Sequence, residues 1–279
     1  MVGAGPAGAR AAYTLARRGA RVTIFDPSHP REKPCGGGVT GRALAIVADA
    51  VTASALPSTI VRQARFVDAA RGESVAVPLA TGPGDAALMV ASRAAFDTAL
   101  LAAAVRAGAT LAPSRVTDVA VDARSVRIDT LHATHRADFV VGADGANSLV
   151  RRRVARPFER GQLSIATGFF AHGVTSDEIV LEMIADPPGY IWSFPRPDHL
   201  AIGICAQADA GVTASALRAR TAAWIARTGI AAGGRLEAYS WPIPSLDASM
   251  RPPCSSARLL ASGRPIPMPP FDRAKALSA

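Results

Sequence analysis

Cysteine is scarce in this sequence: 279 residues hold three, Cys35, Cys205 and Cys254. No two of them have the short spacing of a zinc or iron–sulfur site, so no metal centre is expected. An odd count without a leader segment reads as reduced thiols of a cytoplasmic protein. Aromatic residues are only 5% of the chain against 49% hydrophobic, so the core must be built mainly from Ala, Val, Leu and Ile. No stretch of about 18 uncharged apolar residues exists, which excludes a membrane-spanning helix. The most apolar stretch, residues 94–112, is interrupted by Asp97 and Arg106 and predicts an amphipathic helix. Lysine is nearly absent, Lys33 and Lys275 being the only two, although the net charge is +9. The arginines are scattered, with Arg151, Arg152 and Arg153 the densest cluster. Such an Arg- and Ala-rich chain reflects GC-rich coding rather than a basic face, so no nucleic-acid partner is expected. The charge leaves peripheral contact with an anionic membrane open.

The patterning present is that of a mixed α/β chain. Residues 2–8 read as a strand end running into a turn, residues 9–18 as a helix stopped by Gly19, and residues 21–25 as a second strand. A Pro/Gly-rich loop follows over residues 26–41, then a helix over 42–50. Strands are predicted around a turn at Arg71-Gly72 within residues 61–77, and a short one over 89–91. Residues 93–107 predict a helix ended by Gly108; residues 116–122 and 126–131 predict a hairpin. Residues 138–142 read as a buried strand before the turn at 143–147. From residue 163 the pattern changes to strands over 165–170, 178–184, 191–194 and 201–206, which alternate as antiparallel strands do, with a helix over 214–228. Residues 242–270 are Pro-rich and aperiodic.

The chemistry-bearing motif opens the chain. Gly3, Gly5 and Gly8, with Pro6 and Ala7 between them, form a G-x-G-x-x-G run that leads into a helix. The next strand ends in Asp26, 23 residues after Gly3, against the roughly 20 expected for a dinucleotide-binding βαβ unit. Gly3 permits the tight turn, Gly5 lets backbone approach a pyrophosphate, and Gly8 lets helix pack on strand. The free N–H groups at the helix start suit phosphate, and Asp26 suits a ribose diol. This motif does not separate FAD from NAD.

Four later segments do so by resemblance. Lys33-Pro34-Cys35-Gly36-Gly37-Gly38, taken with Pro6-Ala7-Gly8, resembles the geranylgeranyl reductase family of FAD-dependent oxidoreductases. The family's R-x-x-F-D helix start is matched by Arg93 through Asp97, and its D-G motif by Asp144-Gly145, with Arg151 at the following basic position. Its Y-x-W-x-F-P segment is matched by Tyr190, Trp192, Phe194 and Pro195. The resemblance spans about residues 2–206. It implies a p-hydroxybenzoate hydroxylase-like fold, in which a Rossmann-like FAD-binding domain (residues 1–60 and 88–160) is interleaved with an antiparallel-sheet substrate domain (61–87 and 161–250), followed by an atypical tail (251–279). It also implies FAD as cofactor, NAD(P)H or another reductant as electron donor, and reduction of a C=C bond in an isoprenoid lipid or small molecule.

Roles follow from the same resemblance, each with a plainer alternative. Arg93 is expected near the FAD phosphates or adenosine, or else faces solvent. Asp144 is expected to order the pyrophosphate region, or only to shape its loop. Gly36, Gly37 and Gly38 would let backbone approach the isoalloxazine ring. Cys35 would donate a proton or tune the flavin, or would be a small packing residue. Tyr190, Trp192 and Phe194 share one strand face, and would line an apolar cavity or pack in the sheet core. His172 and His199 are read as isolated and without a catalytic role. The family's G-x-G after that strand appears only as Gly203-Ile204-Cys205.

Two rivals remain. One is a flavin monooxygenase or halogenase-like enzyme on the same fold. The other is an inactive or frameshifted fragment, truncated at both ends. Only Met1 and Val2 precede Gly3, and the family's later G-D motif is absent after Arg258-Leu259-Leu260-Ala261. A frame change within residues 273–278 would restore a Gly-Glu-Gly-Ile-Ile run.

Overall fold

The computed structural model describes residues 1–79 and 88–239. The expectations for residues 242–279, including the Pro-rich tail and the altered frame, lie outside the described residues. In chain order the elements are α1 (Pro6–Ala16), β1 (Thr23–Phe25), β2 (Gly38–Thr40), α2 (Gly41–Val47), β3 (Ser58–Ile60), β4 (Gln63–Asp68), β5 (Glu73–Pro78) and β6 (Leu88–Ala91). Then come α3 (Arg93–Arg106), β7 (Thr110–Ala112), β8 (Val116–Val121), β9 (Val126–Thr130), β10 (Thr134–Ala137) and α4 (Leu149–Val154). The rest are β11 (Ser164–His172), β12 (Glu178–Ile184), β13 (Gly189–Pro195), β14 (His199–Gln207), α5 (Ala214–Thr228) and β15 (Arg235–Ala238).

The N-terminal layer is a parallel βαβ arrangement. β1 pairs with β7 in parallel, and Val2 bridges Phe25 on one side and Gly142 on the other, both in parallel. Helix α1 starts at Pro6, three residues before the expected start at residue 9, because proline is favoured in the first helical turn, where its missing N–H has no partner to lose. α1 and α3 pack against this layer through Ala4, Ala9, Ala12 and Ala104, small side chains that let the helices approach closely, and through Ile24 and Leu100.

Residues 138–142 do not form the expected buried strand. Val2 offers a single residue to pair with: its N–H donates to Val141 O (2.9 Å) and its carbonyl accepts from Ala143 N–H (2.7 Å). A ladder that short does not hold five residues extended and covered, and the Phe139 side chain is 86% exposed.

The second layer is a seven-stranded sheet in the order β15-β11-β14-β13-β12-β4-β5. Residues 63–78 cross from the first half of the chain to join it, β4 pairing with β12 in parallel while the remaining pairs are antiparallel. One face is covered by α5, whose Leu217, Trp224 and Ile225 meet Ile191, Ile202 and Ile204. The buried Glu182 accepts from Trp224 Nε1 (2.8 Å) and pairs with Arg227 (2.8 Å), which satisfies both of its oxygens beneath the helix. The other face carries Tyr190, Trp192 and Cys205 in neighbouring pairs, since Tyr190 lies opposite Cys205 and Trp192 opposite Gly203. β2, β6 and β3 form one three-stranded sheet, in the order β2-β6-β3, and β10, β9 and β8 form another.

Candidate functional site

The first part of the site is a cradle at the start of α1. Gly3 has a positive φ of 97°, and a Cβ there would lie 2.3 Å from Ala143 O. A Cβ on Gly8 would lie 2.0 Å from Gly3 O, so glycine is what lets helix and strand approach. Gly5 differs: a Cβ there would meet only His29 Nε2 and Lys33 Nζ, each at 3.7 Å. The space before Gly5, with Pro6 and Ala7 starting the helix behind it, is open and faced by a lysine ammonium. No side chain caps the α1 N-terminus, so its N–H groups and partial positive charge face that space. His29 Nε2, buried beside it, has no hydrogen-bond partner among the described residues. An ammonium and an uncapped helix start around a Gly-lined opening fit the pyrophosphate of a dinucleotide.

Asp26 is buried, and its carboxylate is already engaged. Oδ2 accepts from Ala4 N–H (2.8 Å) and is 2.8 Å from His29 Nδ1; Oδ1 accepts from the N–H groups of Ser28 and His29, both at 2.8 Å. Burial pushes this carboxyl up, but the hydrogen bonds from His29, Ala4 and Ser28 outweigh it and hold it well below the ordinary carboxylate range. Asp26 therefore shapes the 26–29 turn against the Gly-rich loop. A depressed folded-state value means that the stabilisation is present above about pH 4 and is lost as the pH falls further. Asp26→Asn is expected to cost about 1–3 kcal/mol at neutral pH, because an amide cannot accept from all these donors. In urea melts the gap between the two proteins should narrow below about pH 4.

A second group lies along the loop from Glu32 to Gly38. Arg93 donates to both oxygens of the fully buried Asp97, at 3.1 and 3.0 Å. Burial pulls the Arg93 guanidinium down, and its hydrogen bonds to Asp97, with the charge of that carboxylate, more than restore it. Arg93 is therefore not the solvent-facing arginine of the plainer reading. Burial, with Arg93 next, pulls the Lys33 ammonium below its ordinary value.

The same loop borders a cavity of about 340 Å³, lined by Cys35, Gly36, Gly37, Gly38, Tyr190, Trp192, Phe194 and Cys205 among others. Residues far apart in the sequence are thus brought to one pocket beside the cradle. The glycines have a reason other than ring approach, because a Cβ on Gly36 or Gly38 would strike the Phe194 ring at 2.6 or 2.8 Å, and one on Gly37 would strike Ala91 O at 2.1 Å. Tyr190 and Trp192 rings lie 5.6 Å apart, and Trp192 is also buried in the sheet face.

One expectation is met in its plainer form and one needs correction. Asp144 shapes its loop: it accepts from Ser148 Oγ and from the N–H groups of Leu149 (2.6 Å) and Val150 (3.2 Å), at the start of α4. Its neighbour Gly145 supplies the positive φ (83°) that the turn requires. His172 and His199 do not stand alone. They sit opposite each other on β11 and β14, ring centroids 5.3 Å apart, each beside a carboxylate, Glu237 (3.1 Å) and Asp198 (2.7 Å). Sequence reasoning missed Cys205, Glu32 and Arg196; the signals were adjacency to Gly203, to the Lys33-Pro34-Cys35 run and to Phe194-Pro195.

The family model described as FAD binding domain matches residues 1–232. Among curated relatives, a geranylgeranyl diphosphate reductase of Synechocystis is 28% identical over 228 residues, covering 73% of this chain and 53% of the relative. A menaquinone reductase of Mycolicibacterium smegmatis is 32% identical over 226 residues, covering 75% and 55%. The chain spans about half the length of the curated relatives it matches. Among solved structures, a geranylgeranyl bacteriochlorophyll reductase-like protein from Thermoplasma acidophilum superposes with a TM-score of 0.71 at 22% identity, over 85% of this chain and 63% of that one. The flavin-dependent halogenase CmlS superposes with a TM-score of 0.63, also at 22% identity, over 85% and 47%. The interleaved α/β architecture is therefore that of these flavoproteins, and the chain belongs to the FAD binding domain family, with geranylgeranyl reductases among its relatives.

Proposed function

We propose that the chain binds FAD with the pyrophosphate at the α1 cradle, and that it reduces a C=C bond of an isoprenoid lipid or pigment precursor, using NAD(P)H or another reductant as donor. The observation that carries this reading is the convergence of Cys35, the Gly36–Gly38 loop, Tyr190, Trp192 and Phe194 on one mainly apolar cavity beside the cradle. When bound, FAD supplies hydride transfer, which no side chain of the chain can perform.

The chain's own residues bind, orient and protonate. Gly5 leaves room for the phosphates, Gly3 and Gly8 let strand and helix close up behind it, and Lys33 adds a positive charge there. Arg93, held by Asp97, would neutralise phosphate charge. The aromatic face holds an apolar chain and keeps water from the reacting carbon. Cys35 is the group assigned to proton delivery. Among the described residues no helix is long and apolar enough to cross a membrane. Peripheral contact with a lipid surface would bring the chain to such a substrate.

The test is an anaerobic assay with FAD, NAD(P)H and a geranylgeranyl lipid. Loss of alkene coupled to NAD(P)H oxidation supports the reading. Oxygen uptake stimulated by an aromatic substrate, without alkene loss, would assign the chain to monooxygenase or halogenase-type chemistry instead.

A further inference from the structure

We propose that Arg196 and Glu32 form a positioning pair that sets the loop carrying Cys35 and the start of α3 in one fixed relation to the sheet. The proposal rests on the reading of this loop as the flavin-facing one. Arg196 directly follows β13 and its side chain is 1% exposed. Its Nη1 donates to Glu32 Oε1 at 3.0 Å, its Nη2 donates to the carbonyl of Cys35 at 3.0 Å, and its guanidinium carbon lies 5.6 Å from the centroid of the Phe170 ring. Glu32 extends the linkage: Oε1 also accepts from Arg93 N–H and Oε2 from Ala94 N–H, each at 3.2 Å. With Ser92 Oγ accepting from Ala95 N–H, the first N–H groups of α3 are all occupied. This end of the helix is fastened to the loop and is not open to a ligand.

One planar cation therefore holds three elements: the end of β13, the loop at Cys35 and, through Glu32, the helix that presents Arg93. Gly37 shows how close the packing is. Its φ is +90°, and a Cβ there would lie 2.1 Å from Ala91 O and 3.3 Å from Arg196 Nη2, so only glycine passes beneath the guanidinium. A buried arginine needs such a set of partners, because an unpaired buried charge is strongly unfavourable. Lysine cannot replace it, since an ammonium lacks the planar fork that reaches a carboxylate and a carbonyl at once. Neither Arg196 nor Glu32 borders the cavity, so the pair acts through Cys35 and Arg93.

The experiment uses the full chain with Arg196→Lys, Glu32→Gln and the double variant. It follows alkylation of Cys35 by iodoacetamide, resolved by peptide mass spectrometry with Cys205 as internal reference, and the dissociation constant for FAD by fluorescence. Each single variant should raise the Cys35 alkylation rate about tenfold and weaken FAD about tenfold, the worth of one charge-assisted hydrogen bond, with Cys205 unchanged. The double variant should add little beyond either single one, because the two groups act as a unit. Unchanged Cys35 reactivity would overturn the proposal. So would a parallel rise at Cys35 and Cys205 with a lower melting temperature, which would mean general loosening. If the wild-type chain fails to bind FAD, the flavin reading fails, while the thiol measurement still decides the positioning role.

Discussion

Cys35→Ala is expected to lower the rate of alkene reduction by about 10²–10⁴-fold, the usual contribution of a positioned general acid, while FAD affinity changes by no more than about threefold. Reduction of a C=C bond needs a proton as well as a hydride, and few groups bordering the cavity can supply one. Tyr190 is a poorer candidate, because burial pushes its phenol up from its ordinary value. Cys205 lies opposite Tyr190 on β14 and also borders a second opening of about 300 Å³ that Cys35 does not reach. Cys35 is carried on the Gly-rich loop at this cavity, where its carbonyl accepts from Arg196 Nη2 (3.0 Å). Cys205→Ala should therefore leave the rate within about threefold of wild type. A Cys35→Ala enzyme that keeps its rate would return Cys35 to the role of a packing residue and move the proton source elsewhere.

Asp97→Ala is expected to destabilise the fold by about 3–5 kcal/mol, because it leaves the half-buried Arg93 without its carboxylate. Asp97 is fully buried on α3, accepts two hydrogen bonds from Arg93, and lies 3.7 Å from His29 Nε2. For a chain of this size the loss corresponds to a fall in melting temperature on the order of 10 °C. Calorimetry of the two proteins gives the number directly. A shift of under about 2 °C would show that solvent reaches Arg93 and replaces the lost carboxylate. The same substitution frees Arg93 from its fixed direction, so FAD affinity should fall with stability.

Much of the architecture was readable where local signals agree. The helix expected over residues 214–228 is α5 with those limits, because Thr213 caps its start by accepting from Ala216 N–H and Gly229 ends it with a φ of +65°. The turn at Arg71-Gly72 was equally legible from Gly72, whose φ is +69°. The strands that escaped notice, β2, β3, β7, β10 and β15, are three or four residues long, too short to show an alternation. Residues 138–142 misled for the opposite reason: an apolar run satisfies the pattern of a buried strand, but pairing depends on neighbours the pattern does not contain.

In the candidate site, the Gly-rich run, Cys35 and the Tyr190–Phe194 face were visible as motifs, and the fold brings them together. What the motif could not reveal was direction. Asp144 sits beside Gly3 in space, yet its carboxylate caps α4. Arg196 and Glu32 are separated by 164 residues. Neither carries a periodic or spacing signature, so only the folded chain shows that they meet.

The most direct test of the account is a fluorescence titration of FAD with the full wild-type chain and with Gly5→Val. A side chain at Gly5 meets nothing closer than 3.7 Å, so the variant should fold with an unchanged melting temperature while its isopropyl group fills the space reserved for the pyrophosphate. The account predicts saturable binding by the wild type and a loss on the order of a hundredfold in the variant, equivalent to about 2.7 kcal/mol. A folded wild-type chain that binds no FAD, or a Gly5→Val chain that binds it equally well, would contradict the assignment of the α1 cradle as the cofactor site.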